Sequence, residues 1–246
     1  TEHSMISKSR IGIFTPSLGI ESPSECVAFV AERGGLIQAW TLNPELAHET
    51  KPGLNRHELL EATSRGVINV SSLSGYMDWT QETLNACRID EFTRLINDCE
   101  VFNCDVICTE TGRDFTNRET DERAWSLMIE SFKVLSRKAE TQNVHIAVEM
   151  GRRDIVFGID AFRGLQDAVG GDALKLNFDP ANLLMGGLDP VAVLDELKDD
   201  VKQVHLKDAR STPQMAPLGQ GEVNFVKIIE TLEENGYDGN YIIEQE

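Results

Sequence analysis

The chain has 246 residues, 41% hydrophobic and 26% charged, which suits one barrel domain or two small domains of an ordinary soluble globular protein with a core that needs no staples. Its 41 acidic residues against 23 basic give a formal net charge of −18. That argues against nucleic acid as the main partner, because phosphate binding wants a basic surface. No apolar run approaches the ~20 residues of a membrane span, and the N-terminal stretch TEHSMISKSR is polar throughout, unlike a secretory signal. The five cysteines (Cys26, Cys87, Cys99, Cys104 and Cys108) form an odd set with no CxxC pair. They read as free thiols in a reducing, cytoplasmic compartment.

Strand-like and helix-like runs alternate along the chain. Ile11–Pro16 reads as a strand, Ser24–Arg33 as a helix, Gly35–Trp40 as a second strand and Arg56–Ser64 as a helix. Gly66–Leu73 is a third strand and Arg88–Phe102 a helix, with Ser74–Ala86 between them left without an assigned form. Cys104–Thr109 is a fourth strand. Glu119–Thr141 is a long helix, with Trp125, Met128, Ile129, Phe132 and Leu135 at helical spacing. Val144–Glu149 is a fifth strand and Ile159–Val169 a helix; Leu174–Asp179 is a sixth strand. Pro190–Leu197 is a helix opened by Asp189 as cap and Pro190 in the first turn. Val201–Leu206 is a seventh strand, Asn224–Asn235 a helix capped by Asn224 and closed by Gly236, and Asn240–Gln245 an eighth strand.

Eight βα units in strict alternation predict a parallel sheet, and short connections favour closure into a (β/α)8 TIM barrel spanning residues 1–246 as a single domain. No GxGxxG fingerprint follows the first strand, which weighs against an open dinucleotide-binding sheet. The sequence stops at Glu246, directly after strand eight. A barrel of this kind normally adds a last helix there, so the sequence is open to a missing C-terminal tail.

In a barrel, the C-terminal strand ends converge on one mouth. Glu149 and Asp179 end strands five and six, and His205 and Glu244 lie near the ends of strands seven and eight. Side chains alternate along a strand, so all four can point inward if the registers agree. Three carboxylates and one imidazole suit one divalent ion: manganese foremost, with magnesium, cobalt and zinc also open. Each residue alone has a plainer explanation: a salt-bridged strand-end Glu, a core His, an Asp that starts a turn before Pro180. Lys207 shares the face of His205 and could meet a substrate oxygen or pair with a nearby acid. Glu110, Gln38 and Trp40 are candidate pocket liners, and Tyr76 and Trp79 either wall the pocket or pack down on its rim. Arg152 and Arg153 could clamp an anion or stay solvated. Gly219 and Gly221, in PLGQGEV, fit a phosphate loop or simple loop geometry.

The segments AVEMG, NFDPANLLMGGLDP, VHLKDA, PLGQGEVNF and GYDGNYIIEQE, within Val144–Glu246, resemble the xylose isomerase-like barrel family of sugar and sugar-phosphate isomerases and epimerases. The resemblance implies that Glu149, Asp179, His205 and Glu244 are metal ligands, with Glu149 and Glu244 also the acid/base pair. Many members carry Asp-x-x-His on strand six, where this chain has Asp179 and Asn182. An amide binds metal poorly but can bond a hydroxyl, so Asn182 is expected on substrate. The expected function is a metal-dependent isomerase or epimerase acting beside a carbonyl through an enediolate, on a small carbohydrate. The alternatives are a dehydratase of a cyclic polyol ketone such as an inosose, or a non-catalytic sugar-binding barrel. Endonuclease is set last by the charge and by the histidine count: His3, His48 and His57 fall away from the strand ends. Assembly into a homo-oligomer is left open.

Overall fold

Runs rich in Val, Ile and Leu supply strands buried on both faces, as a parallel sheet wrapped by helices requires. The computed structural model describes residues 6–47, 54, 56–112 and 122–245. In chain order the elements are β1 (Ile11–Phe14), α1 (Pro23–Ala31), β2 (Leu36–Ala39), α2 (Arg56–Ser64), β3 (Asn69–Ser74), α3 (Asn85–Phe102), β4 (Val106–Thr109) and α4 (Glu122–Glu140). They continue with β5 (His145–Glu149), α5 (Ile159–Val169), β6 (Leu174–Phe178), α6 (Pro180–Met185), α7 (Pro190–Leu197), β7 (Val201–Leu206), β8 (Asp208–Arg210), β9 (Gln214–Ala216), α8 (Phe225–Glu234) and β10 (Asn240–Ile243).

Eight of the strands close into a barrel in the order β1-β10-β7-β6-β5-β4-β3-β2, every neighbouring pair parallel. The expected barrel is therefore the fold. The helices cover its outside, each burying one stripe; α4 buries Met128, Phe132, Leu135 and Ala139. No helix among the described residues is long and apolar enough to cross a membrane.

Three of the boundary differences share one cause. Strands three, four and five begin later than expected, because the preceding helix ends in a left-handed residue that takes up the chain. Gly66 (φ 67°), Asn103 (φ 54°) and Asn143 (φ 55°) hold that conformation. The next amide then turns back to the helix: Val67 to the Ala62 carbonyl, Cys104 to Cys99 and Val144 to Ala139, each at 3.0 Å. Cys104 accordingly lies before β4. The first strand stops at Phe14, since Thr15–Leu18 forms a 3-10 turn. The long helix α4 is described from Glu122; residues 119–121 of the expected span, with His3 and His48, lie outside the described residues. The caps Asp189 and Asn224 behave as expected, accepting from the amides of Val191 and Lys227. Among the described residues, the short helix α6, the β8–β9 hairpin and the 3-10 turns Lys8–Arg10, Thr15–Leu18 and Lys198–Asp200 were not foreseen.

Candidate metal centre

Each candidate ligand sits at or just past the C-terminal end of its strand. Glu149 is the last residue of β5, Asp179 follows β6, His205 is the penultimate residue of β7, and Glu244 follows β10. Pairing fixes their heights: Glu149 opposite Asn177 on β6, and Ile242 opposite His205. All four are buried, and each offers a ligand atom within 4.8 Å of the others. His205 turns Nδ1 into the cluster, 2.7 Å from Glu244 Oε2, 3.3 Å from Glu149 Oε2 and 3.9 Å from Asp179 Oδ2. Asp179 divides its oxygens: Oδ1 caps α6 by accepting from the Asn182 amide at 2.9 Å, and Oδ2 faces the cluster. One side chain thus starts the turn with one oxygen and turns the other toward the candidate ligands.

A shell of polar groups aims these carboxylates. Glu149 Oε2 accepts from the Tyr76 hydroxyl at 2.9 Å and the Asn177 amide at 2.8 Å, and Oε1 from the Asn182 amide at 2.7 Å. The Asn182 amide also reaches Asp179 Oδ2 at 3.1 Å. Lys207 Nζ lies 3.3 Å from Glu244 Oε1 and 3.8 Å from Asp179 Oδ2. On the far side of the His205 ring, Nε2 is 2.8 Å from Gln38 Oε1.

Burial pushes the Glu149 carboxyl up, but the imidazole of His205 outweighs it and holds Glu149 below its ordinary value. Asp179 is raised by burial. His205 is disfavoured as a cation by burial, yet the attraction of Glu244 and Glu149 carries it well above 6.5. These shifts belong to the ion-free chain. Three carboxylates buried this close require compensating charge. With a neutral imidazole, the two charges of a divalent ion and the one of Lys207 balance them. The donor set therefore fits such an ion, and it is too poor in sulfur for a structural zinc site.

The other candidates separate. Tyr76 enters the site, stacked on Trp40 with ring centroids 5.9 Å apart and planes 8° apart, and Phe14 meets both rings edge-on. Trp79 packs away from the mouth against Phe92 and Phe132, its indole donating to Thr109. Glu110 is buried just beyond β4. Arg152 and Arg153 are exposed after β5, and His57 lies on α2. The Gly219 and Gly221 amides donate to Asp208 Oδ2 at 2.9 and 2.8 Å, which accounts for PLGQGEV by loop geometry. A Cβ on Gly221 would overlap that carboxylate. Asn177, Gln203 and Asp208 were missed by the sequence reading. The signal for two of them was present: Asn177 and Gln203 each stand two residues before a candidate ligand, on the same strand face.

A closed parallel barrel carrying a buried Glu-Asp-His-Glu cluster at its C-terminal mouth defines a class of metal-site barrels. The profile of the family described as "Xylose isomerase-like TIM barrel" matches residues 27–246, and the chain belongs to that family. Among curated relatives, the inosose dehydratase of Clostridium beijerinckii is 27% identical over 144 residues, covering 51% of this chain and 48% of that protein. The chain thus aligns with about half the length of that relative. Among solved structures, a D-tagatose 3-epimerase-like protein superimposes with a TM-score of 0.79 at 15% identity, covering 95% of this chain and 89% of the other. The IOLI protein with a bound zinc atom gives 0.76 at 17% identity, covering 96% and 88%.

Proposed function

We propose that this protein is a divalent-metal-dependent isomerase or epimerase of a sugar or sugar phosphate, moving a proton at the carbon beside a carbonyl. The observation that carries the reading is the buried cluster of Glu149, Asp179, His205 and Glu244. An ion held there, manganese by our reading and magnesium, cobalt or zinc with the same donors, would act as a Lewis acid on the substrate's carbonyl and adjacent hydroxyl oxygens. Glu149 and Glu244 remove and return the proton through an enediolate. Tyr76, Asn177 and Asn182 fix the direction of Glu149, and Lys207 that of Glu244. Asn182, Lys207 and Glu110 meet substrate oxygens, and the stacked faces of Trp40 and Tyr76 wall the carbon skeleton.

The inosose dehydratase relatives favour a second reading, dehydration of a cyclic polyol ketone. It begins with the same proton removal and ends in loss of a neighbouring hydroxyl as water. Both readings are tested by incubating metal-loaded protein in D₂O with ketoses, inososes and their phosphates, followed by NMR. Deuterium beside the carbonyl with formation of an isomer supports the first. A new α,β-unsaturated absorbance selects the second. Binding without turnover leaves a sugar-binding barrel.

A further inference from the structure

Gln38 lies across the barrel from β7, yet it touches the His205 ring. The register between β2 and β3 slips by one residue between Ile37 and Gln38, so Ile37 pairs with Val70 and Gln38 with Ser72. The Ser71 hydroxyl fills the slip by donating to the Ile37 carbonyl at 2.8 Å. Irregularities of this kind re-aim a side chain, often beside a functional site. Here Gln38 is fully buried, within hydrogen-bond reach of His205, Gln203, Ser74 and Tyr76.

The hydrogen bonds around Gln38 have one consistent direction. Its amide nitrogen donates to the Ser74 hydroxyl at 3.2 Å and to the Tyr76 hydroxyl at 3.3 Å. Its oxygen accepts from the Gln203 amide at 2.9 Å. The Tyr76 hydroxyl, having accepted from Gln38, donates its own hydrogen bond to Glu149. The atom facing His205 Nε2 at 2.8 Å is therefore an acceptor, nearer than the donor nitrogens of Asn177 and Gln203 at 3.3 and 3.5 Å, so Nε2 carries the hydrogen toward Gln38. Nδ1 is the nitrogen turned toward Glu149, Asp179 and Glu244, and it alone can give up its proton and offer a lone pair while Nε2–H stays bonded to Gln38.

We infer that Gln38 is a positioning residue for the metal centre: its carboxamide oxygen holds the Nε2–H of His205, so that Nδ1 alone is presented to the cation. The inference rests on the metal-centre reading above. It is not the usual partner for a ligating histidine on a neighbouring carboxylate or carbonyl; the acceptor is a glutamine on a strand three places round the barrel.

The test uses the full chain with histidine nitrogen labelled and NMR-active cadmium as the probe ion. Cadmium–nitrogen coupling at Nδ1 of His205, with a slowly exchanging proton on Nε2, is the expected result. Coupling at Nε2 overturns the inference and leaves the metal centre standing; coupling at neither nitrogen overturns both. In parallel, Gln38→Leu should weaken zinc binding about 10–100-fold, the range for loss of an outer partner of a ligating histidine. Gln38→Glu, which keeps the acceptor oxygen, should recover most of that loss. A folded Gln38→Leu that binds zinc as tightly as the wild type overturns the inference. If Gln38→Leu does not fold, the coupling measurement on the unaltered protein decides.

Discussion

The side-chain amide of Asn182 reaches Glu149 Oε1 at 2.7 Å and Asp179 Oδ2 at 3.1 Å, tying the first turn of α6 to the end of β5. An amide nitrogen is a donor and gives nothing to a cation. Asn182→Ala should therefore still hold one ion per chain at saturating metal, with affinity weakened by no more than the ~10–100-fold of a lost outer partner, while raising KM or lowering kcat by about tenfold for the loss of one charge-assisted hydrogen bond. Elemental analysis beside steady-state kinetics checks both halves. Loss of the ion from the variant even at saturating metal would make Asn182 part of the metal centre itself rather than a substrate contact.

Metal binding should strengthen with pH. The imidazole of His205, held well above 6.5 by Glu244 and Glu149, must release its Nδ1 proton before an ion can bind. Below the raised value, affinity should climb about tenfold per pH unit for one displaced proton, and level off above it. The ion-free protein should behave oppositely. The pairing of His205 contributes stability that is fully present below 6.5 and is lost as pH rises through the raised value. Titration calorimetry across this range, with melting curves of the chelated protein, gives both slopes. An affinity that does not change with pH would remove His205 from the site.

Proton transfer assigns the chemistry to Glu149 and Glu244. Replacement of either by Gln keeps one oxygen for the ion and removes the base. Turnover should fall at least ~10²-fold, the lower end for loss of general acid–base help. Substrate binding should persist, and deuterium uptake from D₂O should fall with turnover. If both variants keep near-wild-type rates, the proton moves through another group, and Lys207 and Glu110 become the candidates.

Much of this site was legible because barrel topology turns strand ends into neighbours. Glu149, Asp179, His205 and Glu244 stand at equivalent positions on successive units, so spacing alone predicted their convergence. The partners that aim them were harder to see. Asn177 and Gln203 look like ordinary polar residues in apolar strands, and only the closed barrel shows that they point inward. Gln38 was read as a pocket liner; its contact with His205 depends on the slip between Ile37 and Gln38, which leaves no mark in the sequence. Helix α6 was hidden because its six residues, Pro180–Met185, are too few to show a period. Tyr76 and Trp79, three residues apart in one loop, go to opposite surroundings, and that choice is made by tertiary packing.

The loop after the β8–β9 hairpin should depend on Asp208. Its carboxylate accepts from the Gly219, Gly221, Ala209 and Val223 amides at 2.9, 2.8, 2.9 and 3.3 Å. Asp208→Ala strands these donors and should cost about 3 kcal/mol. Gly221→Ala should also destabilise, because its Cβ overlaps Asp208. Denaturant unfolding gives the cost, and hydrogen exchange at Gly219 and Gly221 locates it. Unchanged exchange at those amides in Asp208→Ala would show that the carboxylate does not hold the loop.

Four side chains, on β5 and β7 and just past β6 and β10, are placed to hold one divalent ion. Elemental analysis tests this most directly, on wild-type protein and on Asp179→Ala and His205→Ala, each loaded with manganese and dialysed. The account predicts about one ion per wild-type chain and little or none in folded samples of either variant, since each loses one of the four protein donors to the ion. Equal metal content in all three proteins, or none in the wild type at saturating manganese, would contradict it.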